Sequence, residues 1–180
     1  VADEIERKFL LNRDYREVIR EEARRQQWMS CQNIQQVYMP KTGKWAIRGR
    51  RTQIGAYGEP GSDTLTPQFC ITMKRRKTKL TATEIETAVA GSAYDEMVAA
   101  AGHAPINKNR FYYYIKGKRA LSFCYMIDVF LNPELGGLVL AEIELESEDE
   151  VFPRPDWLGE EVTGIKGYSN ASMAEKLVLV

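Results

Sequence analysis

Polar and apolar residues alternate along most of this chain, the period of a half-buried β-strand rather than of a helix. The pattern starts at once. In Glu4-Ile5-Glu6-Arg7-Lys8-Phe9-Leu10, a strand puts Glu4, Glu6 and Lys8 on one face and Ile5, Phe9 and Leu11 on the other. Seven further strands are expected, over residues 32–39, 45–51, 69–76, 83–90, 107–116, 120–130 and 138–147. Residues 12–27 predict a short surface helix with Asp14 as its N-cap, because its apolar positions are few. A second helix is expected over 93–101, ended by Gly102, and a closing helix over 170–179. Residues 147–150 can open a short helix that Pro153 and Pro155 stop, and 159–167 reads as irregular. Turns fall at 40–44, at Gly117 and at 133–137. The stretch 52–67, rich in Gly, Pro, Ser and Thr, is long for a hairpin loop.

The polar faces of these strands are unusual in being charged almost throughout. Arg48 and Arg50 share a face, as do Thr72, Lys74 and Arg76, and Glu84 and Glu86. Lys108, Arg110 and Tyr112 are in phase, Asp128 lies near the end of its strand, and Glu142, Glu144 and Glu146 alternate with Ile143 and Leu145. An ordinary antiparallel sheet would simply turn such a face to water. If the sheet closes on itself, the same charges line a lumen and the apolar face is covered by helices. Carboxylates stacked on one strand face repel unless a cation sits between them, and hard divalent ions favour such oxygen donors. Lysine and arginine on other strands suit phosphate oxygens. A metal–polyphosphate complex would satisfy both sets.

Composition narrows the field. The 180 residues are 44% hydrophobic and 28% charged, as in a soluble globular protein of one domain. No apolar run approaches the roughly 18 to 20 residues of a membrane span, and no secretory signal opens the chain. Cys31, Cys70 and Cys124 are odd in number, widely spaced and form no CxxC pair, so they read as reduced thiols of a cytoplasmic protein. The single His103 makes a histidine-based metal site or triad an unpromising reading. Net charge is zero but unevenly spread: residues 41–79 hold ten Lys or Arg against two Asp or Glu, and residues 142–161 hold nine Asp or Glu against one Arg. The two stretches are either opposed outer surfaces or two sides of one site.

Glu4-x-Glu6-x-Lys8 resembles the signature of the CYTH superfamily, the triphosphate tunnel metalloenzymes. The resemblance extends along nearly the whole chain. Arg48-Gly49-Arg50 resembles the paired arginines of that family, Thr72-Met73-Lys74 its Thr-x-Lys strand, and Glu84-Ile85-Glu86 and Glu142-Ile143-Glu144 its later Glu pairs. Lys108-Asn109-Arg110 and Asp128 follow at suitable distances. The stretch from Trp157 to Thr163, and Lys166-x-Tyr168-x-Asn170, are similar to the C-terminal block of the short bacterial inorganic triphosphatases. The insertion at 52–67 is longer than in the short members, and Arg75-Arg76-Lys77 adds a basic run.

The resemblance implies an α+β fold: an eight-stranded antiparallel β tunnel with helices packed outside, in a single domain of residues 1–180. It implies divalent-metal-dependent hydrolysis of inorganic tripolyphosphate or a related linear triphosphate, with Mg²⁺ or Mn²⁺ held by Glu4, Glu6, Glu142 and Glu144 and assisted by Asp128. Phosphate binding falls to Lys8, Arg48, Arg50, Lys74, Arg76, Lys108, Arg110 and Lys166. Glu84 and Glu86 are candidates to orient the attacking water, with Lys8 a further catalytic candidate, and the sequence does not choose between them. Nucleoside or RNA 5′-triphosphates, thiamine triphosphate, cyclisation of ATP, and a binding module without turnover stay open as alternatives. The partner expected is a small anion, with no membrane and no specific nucleic acid; a homodimer stays open. Arg51, Arg75 and Lys77 are out of phase and read as solvated, while Trp157 and the Tyr112–Tyr114 run read as packing.

Overall fold

The computed structural model describes residues 2–26, 30–40, 43–56, 66–116 and 122–177. Its strands are β1 (Ala2–Leu11), β2 (Ser30–Tyr38), β3 (Ala46–Ala56), β4 (Gln68–Arg76), β5 (Thr81–Ala88), β6 (Ile106–Lys116), β7 (Ser122–Phe130), β8 (Val139–Leu145) and β9 (Leu158–Glu161). Its helices are α1 (Tyr15–Gln26), α2 (Gly91–Ala100) and α3 (Asn170–Ala174). The sheet runs β5-β4-β3-β2-β6-β7-β8-β1-β9, and a β5–β1 pairing closes the first eight strands into a barrel. Every pairing is antiparallel.

β1 makes the closure. One of its edges pairs with β8 from Ile5 to Leu10. Its other edge is shared: Ala2–Ile5 pair with β5, and Phe9 and Leu11 with β9. The β9 segment was expected to be irregular, because four residues are too few to show a period. The edge that β5 leaves open supplies the partner that makes it a strand. Just beyond it, Val162 N–H donates to the Lys8 carbonyl at 2.8 Å and Lys8 N–H to Thr163 Oγ1 at 3.0 Å.

Two of the apolar clusters lie outside the barrel wall. The largest joins Phe9, Phe111, Tyr113, Tyr125, Ile127 and Ile143 to Val18 and Ile19 of α1 and to Trp157. The helix expected at the surface is therefore half sunk: Val18, Ile19 and Glu22 make a narrow buried stripe, at spacings that meet on one helix face. On the opposite wall α2 packs over β3 and β4 with Tyr94 and Met97. A Cβ on Gly49 would sit 3.0 Å from Met97 Sδ, so the glycine between Arg48 and Arg50 is the seat of that helix.

A third cluster breaks the polar rule of the lumen. Ile106, Phe130 and Leu140 share the pleat phase of the charged residues and pack with Met173, Ala174 and Leu177 around α3. They plug part of one end of the barrel. The closing helix is shorter than the expected 170–179, ending at Ala174, and the last two expected residues lie outside the described ones. No helix forms at 147–150; there the Glu146 N–H donates to Glu150 Oε2 at 2.6 Å across a bend. The turn at Gly117, part of the turn at 40–44 and most of the 52–67 insertion lie outside the described residues. No described helix is long and apolar enough to cross a membrane.

Candidate active site in the tunnel

The alternation that places apolar groups outside places the charges inside. Glu4, Glu6 and Lys8 of β1, Arg48 and Arg50 of β3, and Lys74 and Arg76 of β4 line one cavity of about 920 Å³. Glu84 and Glu86 of β5, Arg110 of β6, and Glu142 and Glu144 of β8 complete the wall. Twelve of the fifteen expected site residues are thus brought together from both ends of the chain. Register explains how. Lys8 stands opposite Glu142 and Glu6 opposite Glu144, while Arg48, Thr72 and Glu86 form one row across three strands.

Three expected residues do not line it. Lys108 and Asp128 lie at full burial behind Arg110. Asp128 Oδ2 accepts from Lys108 Nζ at 2.5 Å and Arg110 Nη2 at 2.7 Å, and Oδ1 from Arg110 Nε at 2.6 Å. Both carboxylate oxygens are engaged, and Asp128 holds the Arg110 guanidinium at the cavity wall. Lys108 is paired with it as a counter-ion; burial and the neighbouring Arg110 push its pKa down to about 8. Both side chains follow the strand phase correctly, but so close to the apolar plug that they meet packing instead of open lumen. Lys166 is exposed in the turn after β9 and off the cavity; in irregular backbone no period fixes where a side chain points.

The remaining charges form an alternating ladder. Arg110 Nη2 donates to Glu142 Oε2 at 2.8 Å, and Glu142 also pairs closely with Lys8. Lys8 Nζ is 3.4 Å from Glu6 Oε2, and Lys74 Nζ is 3.4 Å from Glu6 Oε1 and closely paired with Glu4. Arg48 Nη2 donates to Thr72 Oγ1, which donates to Glu86 Oε2, each at 2.9 Å. Burial works against the charge of Glu142, yet Lys8 and Arg110 hold its carboxyl well below the ordinary range. Glu6 is likewise held low, by Lys8 and Lys74 against its burial. Glu4 and Glu144 go the other way: burial raises both, Lys74 only partly offsetting it at Glu4, and their carboxylate neighbours push them further. Glu144 makes no salt bridge among the described residues.

These carboxylates suit a hard divalent cation. Like charges directly opposite one another on paired strands are destabilising, and Glu6 faces Glu144 in that way. The donors are all oxygen, the set that Mg²⁺ and Mn²⁺ prefer. Among the described residues no three of them are already gathered into a ligand cage, because Lys8 and Lys74 stand between them as counter-ions.

Thr72 shares the strand face of Lys74 and Arg76, as alternation predicts, but its bridging position between Arg48 and Glu86 depends on a cross-strand row that one strand cannot show. His103 also reaches the cavity rim. Its ring is taken up by backbone: Nδ1 donates to the Ala104 carbonyl at 2.8 Å and Nε2 accepts from Tyr38 N–H at 3.1 Å.

No family model matches the chain. An inorganic triphosphatase of Acetivibrio thermocellus is 35% identical to it over 106 residues, 58% of this chain and 64% of the length of that curated relative. Among solved structures, the inorganic triphosphatase NE1496 aligns over 99% of both chains at 24% identity and a TM-score of 0.56. A putative adenylyl cyclase from Hippeastrum, described as having a dominant triphosphatase activity, aligns over 80% of both chains at 13% identity and a TM-score of 0.51.

Proposed function

We propose that this chain is a member of the CYTH superfamily of triphosphate tunnel proteins and hydrolyses inorganic tripolyphosphate or a related linear triphosphate with the help of Mg²⁺ or Mn²⁺, a reading supported by its likeness to an inorganic triphosphatase and by the shared tunnel fold. The tunnel of residues 1–180 acts as one domain. The observation that carries the reading is the meeting of two opposite needs in one cavity: facing carboxylates at Glu6 and Glu144, and Lys and Arg side chains of β1, β3, β4 and β6 on the same wall. A relative named inorganic triphosphatase supports the same activity.

Phosphoryl transfer requires positioning and charge stabilisation more than covalent chemistry. Lys8, Arg48, Arg50, Lys74, Arg76 and Arg110 hold the phosphate chain through charge-assisted hydrogen bonds. Glu4, Glu6, Glu142 and Glu144 would hold the divalent ion, which supplies Lewis-acid polarisation of a phosphoryl oxygen and lowers the pKa of bound water. Lys8 and Lys74 are paired with those carboxylates, and a divalent ion held there would leave both ammonium groups available to phosphate oxygens. Asp128 keeps the Arg110 guanidinium aimed into the lumen. Glu86, held ionised against its burial by Thr72 and Arg50, orients a water toward the terminal phosphorus, with Glu84 beside it.

Phosphate release from tripolyphosphate and from pyrophosphate, with Mg²⁺ or Mn²⁺ and then with excess chelator, tests this. Release from tripolyphosphate that stops under chelation is expected. Undiminished release under chelation removes the metal mechanism, and tight anion binding with no release in any condition would make the tunnel a binding module.

A further inference from the structure

Arg50 is the odd cation of the barrel. Lys8, Lys74, Arg48 and Arg110 all have carboxylate partners. Arg50 makes no salt bridge among the described residues, and its Nε is buried without a hydrogen-bond partner. Burial and the guanidinium groups of Arg48 and Arg110 work against its charge. It stands between the tunnel cavity and a second one of about 730 Å³, and lines both.

The rows across the strands explain this isolation. Arg48 shares its row with Thr72 and Glu86, so a carboxylate ends it. The row of Arg50 holds Gln36 of β2, Cys70 of β4 and Ala88 of β5, with no anion. The Cys70 thiol is hydrogen-bonded to Glu86, which leaves Gln36. Gln36 is fully buried and lines neither cavity, and both atoms of its amide lack a partner. Of its two cross-strand neighbours, Ile106 belongs to the apolar plug and only Arg50 carries polar side-chain atoms.

Buried polar side chains are nearly always paired, so one left unpaired calls for a reason. Residues directly opposite on antiparallel strands have Cβ atoms about 4.5–5.5 Å apart, within reach of two long side chains. The two orphans are complementary: a guanidinium Nε–H can only donate, and an amide oxygen can only accept. The barrel already shows the same device once, where Asp128 accepts from Arg110 Nε at 2.6 Å from behind the wall. The difference is charge. A carboxylate neutralises the arginine that it holds, whereas an amide fixes it and leaves its charge to the ligand.

We propose that Gln36 is the positioning residue of Arg50. When an anion draws the guanidinium into the lumen, Gln36 Oε1 accepts the Nε–H, and the two Nη groups grip a phosphate with their charge undiminished. Arg50 is then the cation that needs no ion pair broken before it binds. This rests on the reading of the tunnel as a triphosphatase site.

The test is a double-mutant cycle of Gln36→Leu and Arg50→Ala, assayed with tripolyphosphate and Mg²⁺ and joined to thermal unfolding. Leucine fills the buried site and offers no acceptor. Gln36→Leu should lower kcat/KM about tenfold, as for a lost hydrogen bond to a charged group. Its thermal midpoint should be no lower than that of wild type, because an orphaned amide is removed and no bonded partner is lost. In the Arg50→Ala background, Gln36→Leu should change kcat/KM by less than about twofold. A merely structural role would instead lower the midpoint and persist without Arg50. Additive losses, a midpoint that falls along with activity, or unchanged kinetics in Gln36→Leu would each overturn the proposal. The two readings fail separately. A wild type that releases no phosphate from any triphosphate removes the activity alone, and the same cycle is then read as the affinity for tripolyphosphate by calorimetry. Full turnover without coupling between Gln36 and Arg50 removes the positioning role alone.

Discussion

Arg50 and Arg51 are chain neighbours with opposite fates. Arg50 enters the lumen, while Arg51 belongs to the other pleat phase and donates to Gln53 Oε1 at 2.8 Å. One lost charge-assisted contact is worth roughly 1.5–3 kcal/mol, so Arg50→Ala should lower tripolyphosphate turnover about tenfold or more. Arg51→Ala should leave turnover almost unchanged; equal losses in steady-state assays would contradict the strand phase. Behind the lumen, Asp128 serves two cations at once. Asp128→Asn leaves Lys108 and Arg110 buried with their main anion gone, and a broken buried pair costs roughly 3–5 kcal/mol. Lys108→Met removes one cation and leaves Arg110 on the carboxylate. Urea unfolding should therefore find Asp128→Asn much the less stable of the two, and the reverse order would show that Asp128 is not the keystone of that cluster.

At the scale of elements, helices decide which wall faces solvent. α1 carries few apolar residues, but Val18 and Ile19 are buried almost completely and join Trp157, Leu158 and Phe152 over the outward side chains of β1, β6, β7 and β8. α2 depends instead on an absence. Because Gly49 has no side chain, Met97 can rest on the backbone of β3 between the two arginines. Gly49→Val forces the helix outward or the strand inward, an overpacking cost of about 1–3 kcal/mol. Its thermal midpoint should fall, and turnover with it, since Arg48 and Arg50 move with the strand. A variant with normal stability and normal kinetics would show that α2 does not set the position of those arginines.

At the scale of the molecule, one barrel joins carboxylates from the two ends of the chain, and their repulsion is relieved only partly by Lys8 and Lys74. A cation that binds the native state alone stabilises it by mass action, about 2.7 kcal/mol at a hundredfold excess over its dissociation constant. Mg²⁺ or Mn²⁺ should therefore raise the thermal midpoint in the absence of any substrate. Glu144→Gln removes a charge that no salt bridge holds, so the variant without metal should be at least as stable as wild type, and the metal-dependent rise should shrink or vanish. A full rise in Glu144→Gln would remove Glu144 from the ligand set. The assay reads binding, so it remains informative even where turnover is blocked.

The sequence by itself determined the strand phases, and with them which residues face the lumen. Lys8, Arg48, Lys74, Arg110 and Glu144 all stand where alternation puts them, because the pleat has a fixed period of two. Alternation also separated Arg50 from Arg51. What it does not carry is depth along the barrel. Lys108 and Asp128 have the right phase, yet they sit beside the plug of Phe130 and Leu140 and pair with each other behind the cavity wall. It does not carry closure either: β9 and the β1–β5 seam exist only because one strand end finds another's free edge. Nor does it carry the rows across strands, such as Arg48–Thr72–Glu86, or the second cavity behind Arg50. Local pattern acts between neighbours in the chain, whereas register, shear and the ends of the tunnel are set by strands up to the whole length of the domain apart, and only the folded barrel decides them.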